Sequence, residues 1–362
     1  MERMVEFDIG TPSFEEIAGL ARMSIENMDT YTSTEYPELP WNTAVDEYNR
    51  RSNAPINEQE IKHLVPIELR SLNDGTPIVA IDVSILGLGE TQCGTIYAIR
   101  GTVVSRKEER YRYSRLGPLP FHINIGENET IKERRATDHT ILSIDTGRRN
   151  PTIICRRLLT VFETMLKRKV AKMYDNAVLL WDGALTIPSV EEEIRATNSL
   201  MEVARKRRNS IVGVSKKTCL FSLQGTRDPL QGYQKPCLID IDSRIQRTQR
   251  FLLLGTVYVA KLASDGLLFR LDVDKELPEA ERIAAVERMI GNDLTQDGYP
   301  ETLRLAHIFS KFNATEVIGM HRFLDDNYGL RILEYPNIRR ILFGPFAGNH
   351  SKEPDAIYAK PV

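Results

Sequence analysis

Two apolar runs in this chain each close on an aspartate: Pro77-Ile-Val-Ala-Ile-Asp82 and Asn176-Ala-Val-Leu-Leu-Trp-Asp182. A carboxylate ending so apolar a run is costly unless it finds a partner. Two of them brought together are natural ligands for a divalent cation. The plainer alternative is that each Asp merely begins the loop after its strand, so other residues must decide. Glu163 recurs with Leu159, Leu166 and Val170 at helical spacing, which sets a carboxylate on or next to an apolar face. Arg156 or Arg157 would pair it there if it is structural. In Gly298-Tyr299-Pro300-Glu301-Thr-Leu-Arg-Leu-Ala-His307, Pro300 suits a first helical position. His307 then falls one turn beyond Leu303, at the edge of the apolar face. Alone it reads as a boundary residue; beside three carboxylates it becomes a fourth ligand or a proton carrier.

The elements that must position these residues follow from periodicity and punctuation. Strands are expected over 78–83, 95–104 and, more briefly, 111–115. Residues 117–150, richer in Gly, Pro and charge, read as an insertion. A helix is expected over 151–174, then the second Asp-ending strand, then a helix over 190–208 announced by Pro188 and Ser189. Ser210-Ile-Val-Gly-Val-Ser215 has a buried-strand pattern. Residues 217–250 read as a second irregular insertion, followed by strands over 252–262 and 267–273 joined at Ser264-Asp265-Gly266. Helices near 278–291 and 300–312 close the core. Residues 1–70 read as an extension, with a helix near 13–27, and residues 316–362 as a C-terminal segment packing on the domain or at an interface. The class is α/β, and the order of elements is that of an RNase H-like mixed sheet flanked by helices.

Composition narrows the partners. A chain of 362 residues and 41.2 kDa is long enough for one large or two modest domains. At 41% hydrophobic and 27% charged it is ordinary for a soluble globular protein. No apolar stretch nears the roughly 20 residues that span a bilayer. The N-terminus has no signal-peptide pattern, and the four cysteines are scattered without a Cys-x-x-Cys pair. A reducing, cytoplasmic setting is therefore expected. Net charge is −2, yet basic runs such as Arg205-Lys-Arg207-Arg208 could hold phosphates in a groove while acidic residues sit elsewhere.

Asp82-x-Ser84, Glu163, Trp181-Asp182-Gly-Ala-Leu185, Val212-Gly-Val-Ser-Lys216 and Gly298-Tyr-Pro-x-x-Leu-x-x-Ala-His307 resemble the successive motifs of the NurA nuclease family, in order, over roughly residues 75–315. One departure is Val83, where the family's first motif usually has glycine. The resemblance implies a metal-dependent DNA exonuclease, 5′-to-3′, and single-strand endonuclease. It also implies a homodimer acting in DNA end resection and repair with a HerA-type hexameric ATPase. It assigns Asp82, Glu163, Asp182 and His307 to catalysis and to manganese, with magnesium as the other option. Lys216, Tyr299, Arg205 and Arg207 become candidate DNA contacts. Ile341-Leu-Phe343 and Pro345-Phe346 are candidates for the dimer or ATPase surface. Two other classes compete: a non-catalytic DNA clamp or adaptor for the ATPase, which Val83 favours, and an actin-like or sugar-kinase ATPase reading Gly87-Leu-Gly89 as a phosphate turn.

Overall fold

The computed structural model describes residues 4–7, 64–91, 94–124, 151–188, 191–215, 230, 233–245, 251–264 and 266–328. In chain order its strands are β1 (Val5–Glu6), β2 (Ile67–Glu68), β3 (Ile78–Thr91), β4 (Gly94–Lys107), β5 (Arg110–Asn124), β6 (Val178–Asp182), β7 (Thr186–Pro188), β8 (Ser210–Ser215), β9 (Cys237–Asp240), β10 (Phe251–Leu253), β11 (Gly255–Lys261), β12 (Leu268–Asp274), β13 (Thr295–Gln296) and β14 (Tyr299–Pro300). Its helices are α1 (Pro151–Met173), α2 (Glu191–Lys206), α3 (Glu279–Asn292), α4 (Glu301–Ser310) and α5 (Ala314–Tyr328). Ten strands form one mixed sheet in the order β1-β5-β4-β3-β6-β8-β12-β11-β9-β2. Within it β3, β4 and β5 make an antiparallel meander, and β3, β6 and β8 run parallel through the crossovers α1 and α2. That is an RNase H-like core, with β12, β11, β9 and β2 extending it.

Alternate residues of the central strands serve opposite layers, as a period of two requires. Ile78, Ala80, Val178 and Leu180 face one side, where they meet Leu303 and Ala306 of α4 and Ala285, Val286 and Met289 of α3. Val79, Ile81, Leu179 and Trp181 face the other, against Leu166 and Val170 of α1 and Leu200, Met201 and Ala204 of α2. Burying both faces explains why β6 and β8 read as continuous apolar runs.

Several boundaries differ from those expected. The first strand does not end at Asp82: β3 continues to Thr91 because β4 supplies hydrogen-bond partners along its whole length. The third strand is not short, since β5 runs to Asn124 and takes in residues 117–124 of the expected insertion. Gly117 and Pro118 sit in an irregularity opposite Arg100, between the pairs Gly101↔Leu116 and Ile99↔Leu119. Bulges absorb a proline without a lost ladder bond. Residues 237–240, expected as irregular, form β9 because Leu238 and Ile239 pair with β11 and bury fully. The expected strand over 252–262 is two, β10 and β11, which belong to different sheets. Helix α5 crosses residue 315 and packs Val317, Met320 and Leu324 onto Leu88, Ile96 and Ala98 of the meander. The helix expected over 13–27, most of both insertions and the apolar residues 341–346 lie outside the described residues.

Candidate metal centre

The pleat that buries Ala80 and Leu180 on the α4 side also turns Asp82 and Asp182 to that side. Strands β3 and β6 pair in parallel register through Ile81↔Trp181, so the two aspartates are the next residues on adjacent strands. Here the strands part company. β6 ends, while β3 runs on beside β4. Asp182 is followed at once by Gly183 at φ +99, a left-handed turn that glycine adopts without strain. The turn is pinned by Gly183 N donating to Val214 O at 2.9 Å and Leu185 N donating to the buried Asp272 Oδ2 at 3.0 Å. Gly213 lies beneath it, where a Cβ would come within 2.6 Å of Gly183 O.

Helix α4 brings the third group. Its N-terminus is held by Asp293, which accepts from Thr302 N at 3.1 Å, from the Thr302 hydroxyl, from Leu294 N at 2.9 Å and from Tyr111 Oη at 3.2 Å. Leu303, Ala306 and Ser310 are buried along one face, which aims His307 at the strand ends. Its Nδ1 is 3.1 Å from Asp82 Oδ2 and 3.9 Å from Asp182 Oδ2. Ligand atoms of all three residues lie within 4.8 Å of one another. The His307 side chain is 41% exposed and those of Asp82 and Asp182 12% and 27%, so the cluster opens to solvent.

Asp82 has a further partner. Ser310 Oγ donates to Asp82 Oδ2 at 2.5 Å and lies 2.9 Å from Ser84 Oγ. Burial acts to raise the Asp82 pKa, but hydrogen bonds from His307 and Ser310 and the charges of His307 and Lys311 outweigh it. The carboxyl is thereby held below its ordinary range. The donor set fits a hard divalent ion: two carboxylates and one imidazole suit manganese or magnesium. Neighbouring ligands of an octahedral ion with bonds of about 2.1 Å stand about 3 Å apart, and the Asp82–His307 separation already matches.

The other sequence candidates are placed as follows. Glu163 lies on α1, across the sheet from His307, and its carboxylate pairs with Lys167 at 2.5 Å. The Lys167 ammonium lies 4.2 Å from the centre of the Trp181 ring. Glu163 is therefore not among the three residues that converge. Tyr299 stands beside the cluster, its ring 5.5 Å from that of Phe269. Burial, then the charges of Asp182 and Asp82, push its hydroxyl above the ordinary phenol range. Arg205 and Arg207 sit at the opposite end of β6 and β8. Arg205 Nη1 donates to the buried Asp274 at 2.8 and 3.0 Å, and Arg207 Nη2 donates to Asp175 at 2.8 Å. Lys216 lies outside the described residues. Val83, being one residue from Asp82 along a strand, faces α1 and packs by Phe162 and Leu116. A side chain there leaves Asp82 unobstructed. Ser310 was missed by sequence reasoning; its signal is the spacing His307-x-x-Ser310, one helical turn further on the same side.

No protein-family model and no curated protein sequence matches this chain. Solved structures do. The NurA nuclease from Sulfolobus solfataricus superposes with a TM-score of 0.50 at 15% identity, covering 81% of this chain and 94% of that one. The chain has the NurA fold. A second NurA structure aligns over 88% of this chain and 99% of its own length, at 11% identity and a TM-score of 0.38. Endonuclease V from Bacillus subtilis aligns over 78% and 91%, at 12% identity and a TM-score of 0.32. In this NurA-like fold the three converging residues lie at the carboxyl end of parallel strand β6, the customary place for a site in an open α/β sheet.

Proposed function

We propose that this chain is a divalent-metal-dependent deoxyribonuclease that hydrolyses phosphodiester bonds. The observation that carries the reading is the convergence of Asp82, Asp182 and His307 at the solvent-open C-terminal end of central strand β6 in a NurA-like fold. Asp82, Asp182 and His307 would hold the ion, with Glu163, paired to Lys167 on the opposite face of the sheet, left outside the set. A divalent ion bound there supplies charge neutralisation at the phosphoryl group and activation of water.

The protein's own groups do the rest. Ser310, backed by Ser84, fixes the rotamer of Asp82. As the alternative to ligating the ion, His307, the most exposed of the three, would carry a proton toward the departing oxygen. Tyr299 stays protonated at working pH, so its role is to donate a hydrogen bond or stack rather than to act as a base. Lys216 is assigned a phosphate contact. Arg205 and Arg207, neutralised at the far end of the sheet, fall outside this surface.

The finer reading is manganese-supported 5′-to-3′ exonuclease and single-strand endonuclease activity, in a homodimer working with a HerA-type hexameric ATPase in end resection. Among the described residues no helix is long and apolar enough to cross a membrane. The test incubates labelled duplex and single-stranded DNA with the purified chain in manganese, magnesium or EDTA, beside Asp82→Ala and Asp182→Ala. Shortening that needs metal and disappears in both variants is expected. No cleavage in any metal, with a cognate ATPase added, would sink the nuclease reading in favour of the adaptor.

A further inference from the structure

Lys311 follows Ser310 directly and ends α4. Its backbone is fixed from both sides: Lys311 N donates to Ile308 O at 3.3 Å, and Lys311 O accepts from Arg100 Nη1 at 3.1 Å. Arg100 is itself almost wholly buried, gripped by both carboxylate oxygens of Glu316 at 2.8 and 3.0 Å and set 4.7 Å from the centre of the Phe312 ring. The next turn is locked as well, since Asn313 N donates to Glu316 Oε2 at 3.0 Å and Glu316 N donates to Asn313 Oδ1 at 2.9 Å. This reciprocal cap starts α5. A buried arginine and a capped helix thus hold the main chain of Lys311 rigidly beside Asp82.

The side chain, in contrast, is exposed. Among the described residues no carboxylate forms an ion pair with it, whereas neighbouring Arg100 and Arg115 share Glu316 at 2.8 and 3.8 Å. Its ammonium is close enough to act electrostatically on Asp82. An exposed, unneutralised lysine contributes little to the fold. A rigidly seated one at the rim of a two-carboxylate cluster does something for an anionic ligand, because it offsets the repulsion those carboxylates exert.

We propose that Lys311 binds a backbone phosphate next to the one cleaved and so seats the nucleic-acid strand over Asp82, Asp182 and His307. This rests on the nuclease reading above. Lysine suits the task as a compact point charge with rotatable donors, which neutralises a phosphate without reading sequence.

The experiment measures binding of a labelled single strand in EDTA over a range of salt, and steady-state cleavage in manganese, for the full chain and for Lys311→Ala, Lys311→Arg and Arg207→Ala. Removing one phosphate contact flattens the log K against log salt slope by about 0.7 for a single strand. Lys311→Ala is expected to show that change and a KM raised roughly tenfold, with kcat changed far less, the pattern of lost uniform binding. Lys311→Arg should restore both, and Arg207→Ala should alter neither. Manganese affinity of Lys311→Ala, read by the free-ion spin-resonance signal, should be equal to or tighter than wild type, because a positive charge beside the ion has been removed. A Lys311→Ala enzyme that cleaves with unchanged slope and KM overturns the Lys311 assignment and leaves the nuclease reading standing. A slope change equal in Arg207→Ala also overturns it. A wild-type chain that neither binds nor cleaves DNA overturns both.

Discussion

The two ends of the parallel pair β6–β8 carry the same kinds of residue and use them in opposite ways. At the start of the strands, Arg205 and Arg207 each meet a carboxylate. Arg205 pairs with Asp274 and Arg207 with Asp175, while the buried Asn209 donates to Ala171 O and Tyr174 O and accepts from Ala177 N. At the other end, Asp82 and Asp182 converge on a single imidazole. At the first end the two arginines are spent on carboxylates of the fold. The second is acceptor-rich, partly exposed and short of positive charge, which is how cation sites are built. Residue type alone therefore does not separate structure from function in this protein; the balance of donors and charges around each residue does.

The comparison breaks most visibly at the open end. Asp82→Ala or Asp182→Ala should lower metal-dependent cleavage on the order of 10³-fold. Asp182→Ala should keep a melting temperature near wild type, whereas Asp82→Ala should lose a little, because it removes the acceptor of the His307 and Ser310 hydrogen bonds. Steady-state rates and thermal unfolding of the same preparations check the split. A large fall in stability in Asp182→Ala as well would mean that the pair is structural.

At the end where the arginines are paired the pattern should reverse. Asp274→Ala leaves the Arg205 guanidinium half-buried without its carboxylate, and should cost about 3 kcal/mol of stability with kcat retained near wild type. Urea unfolding beside a cleavage assay measures both. Loss of activity without loss of stability would abolish the contrast.

Asp293 sharpens it further, since it anchors the helix that carries His307. Burial raises its pKa to about 6 even though Thr302, Leu294 and Tyr111 donate to it. The folded chain then holds a proton that the unfolded chain releases near pH 4, so the native state binds more protons between those values. Stability must fall as pH rises through that window. Relative to Asp293→Asn, wild type should lose up to about 3 kcal/mol between pH 4 and pH 7. Parallel pH dependences in the two proteins would count against a raised Asp293 pKa.

The smallest expected effect belongs to Ser310→Ala. Asp82 keeps its place but loses the hydroxyl that orients it, and manganese affinity should fall 10- to 100-fold, the usual scale for a residue supporting a metal ligand. Isothermal titration with manganese checks this. An unaltered affinity would make the Ser84–Ser310 pair a packing feature.

Much of the sheet was legible in the chain. Residues 210–215 form the expected strand, and α1, α2 and α3 begin and end within two residues of their expected bounds. Local apolar periodicity and caps suffice for such elements. What escaped depended on a partner strand. β3 runs past Asp82 because β4 matches it, β5 crosses Gly117-Pro118 because an irregularity opposite Arg100 absorbs them, and β9 exists because β11 offers an edge. No local periodicity says which strand will pair with these residues.

The site divides along the same line. Asp82, Asp182 and His307 stood out by sequence, because a polar residue at the margin of an apolar run needs a reason that composition does not provide. Their assembly required the parallel register of β3 with β6 and the docking of α4. Glu163 carried the same sequence signal, but α1 packs on the other face and Lys167 sits within reach. Arg205 and Arg207 stood out as charge, and the fold set them at the far end with carboxylates of their own. Sequence by itself determined which residues carry charge at the margins of apolar elements; only the tertiary structure decided which of those charges meet. Covalent order fixes spacing along a strand or helix, whereas electrostatic balance depends on neighbours that the chain brings together from a hundred or more residues away.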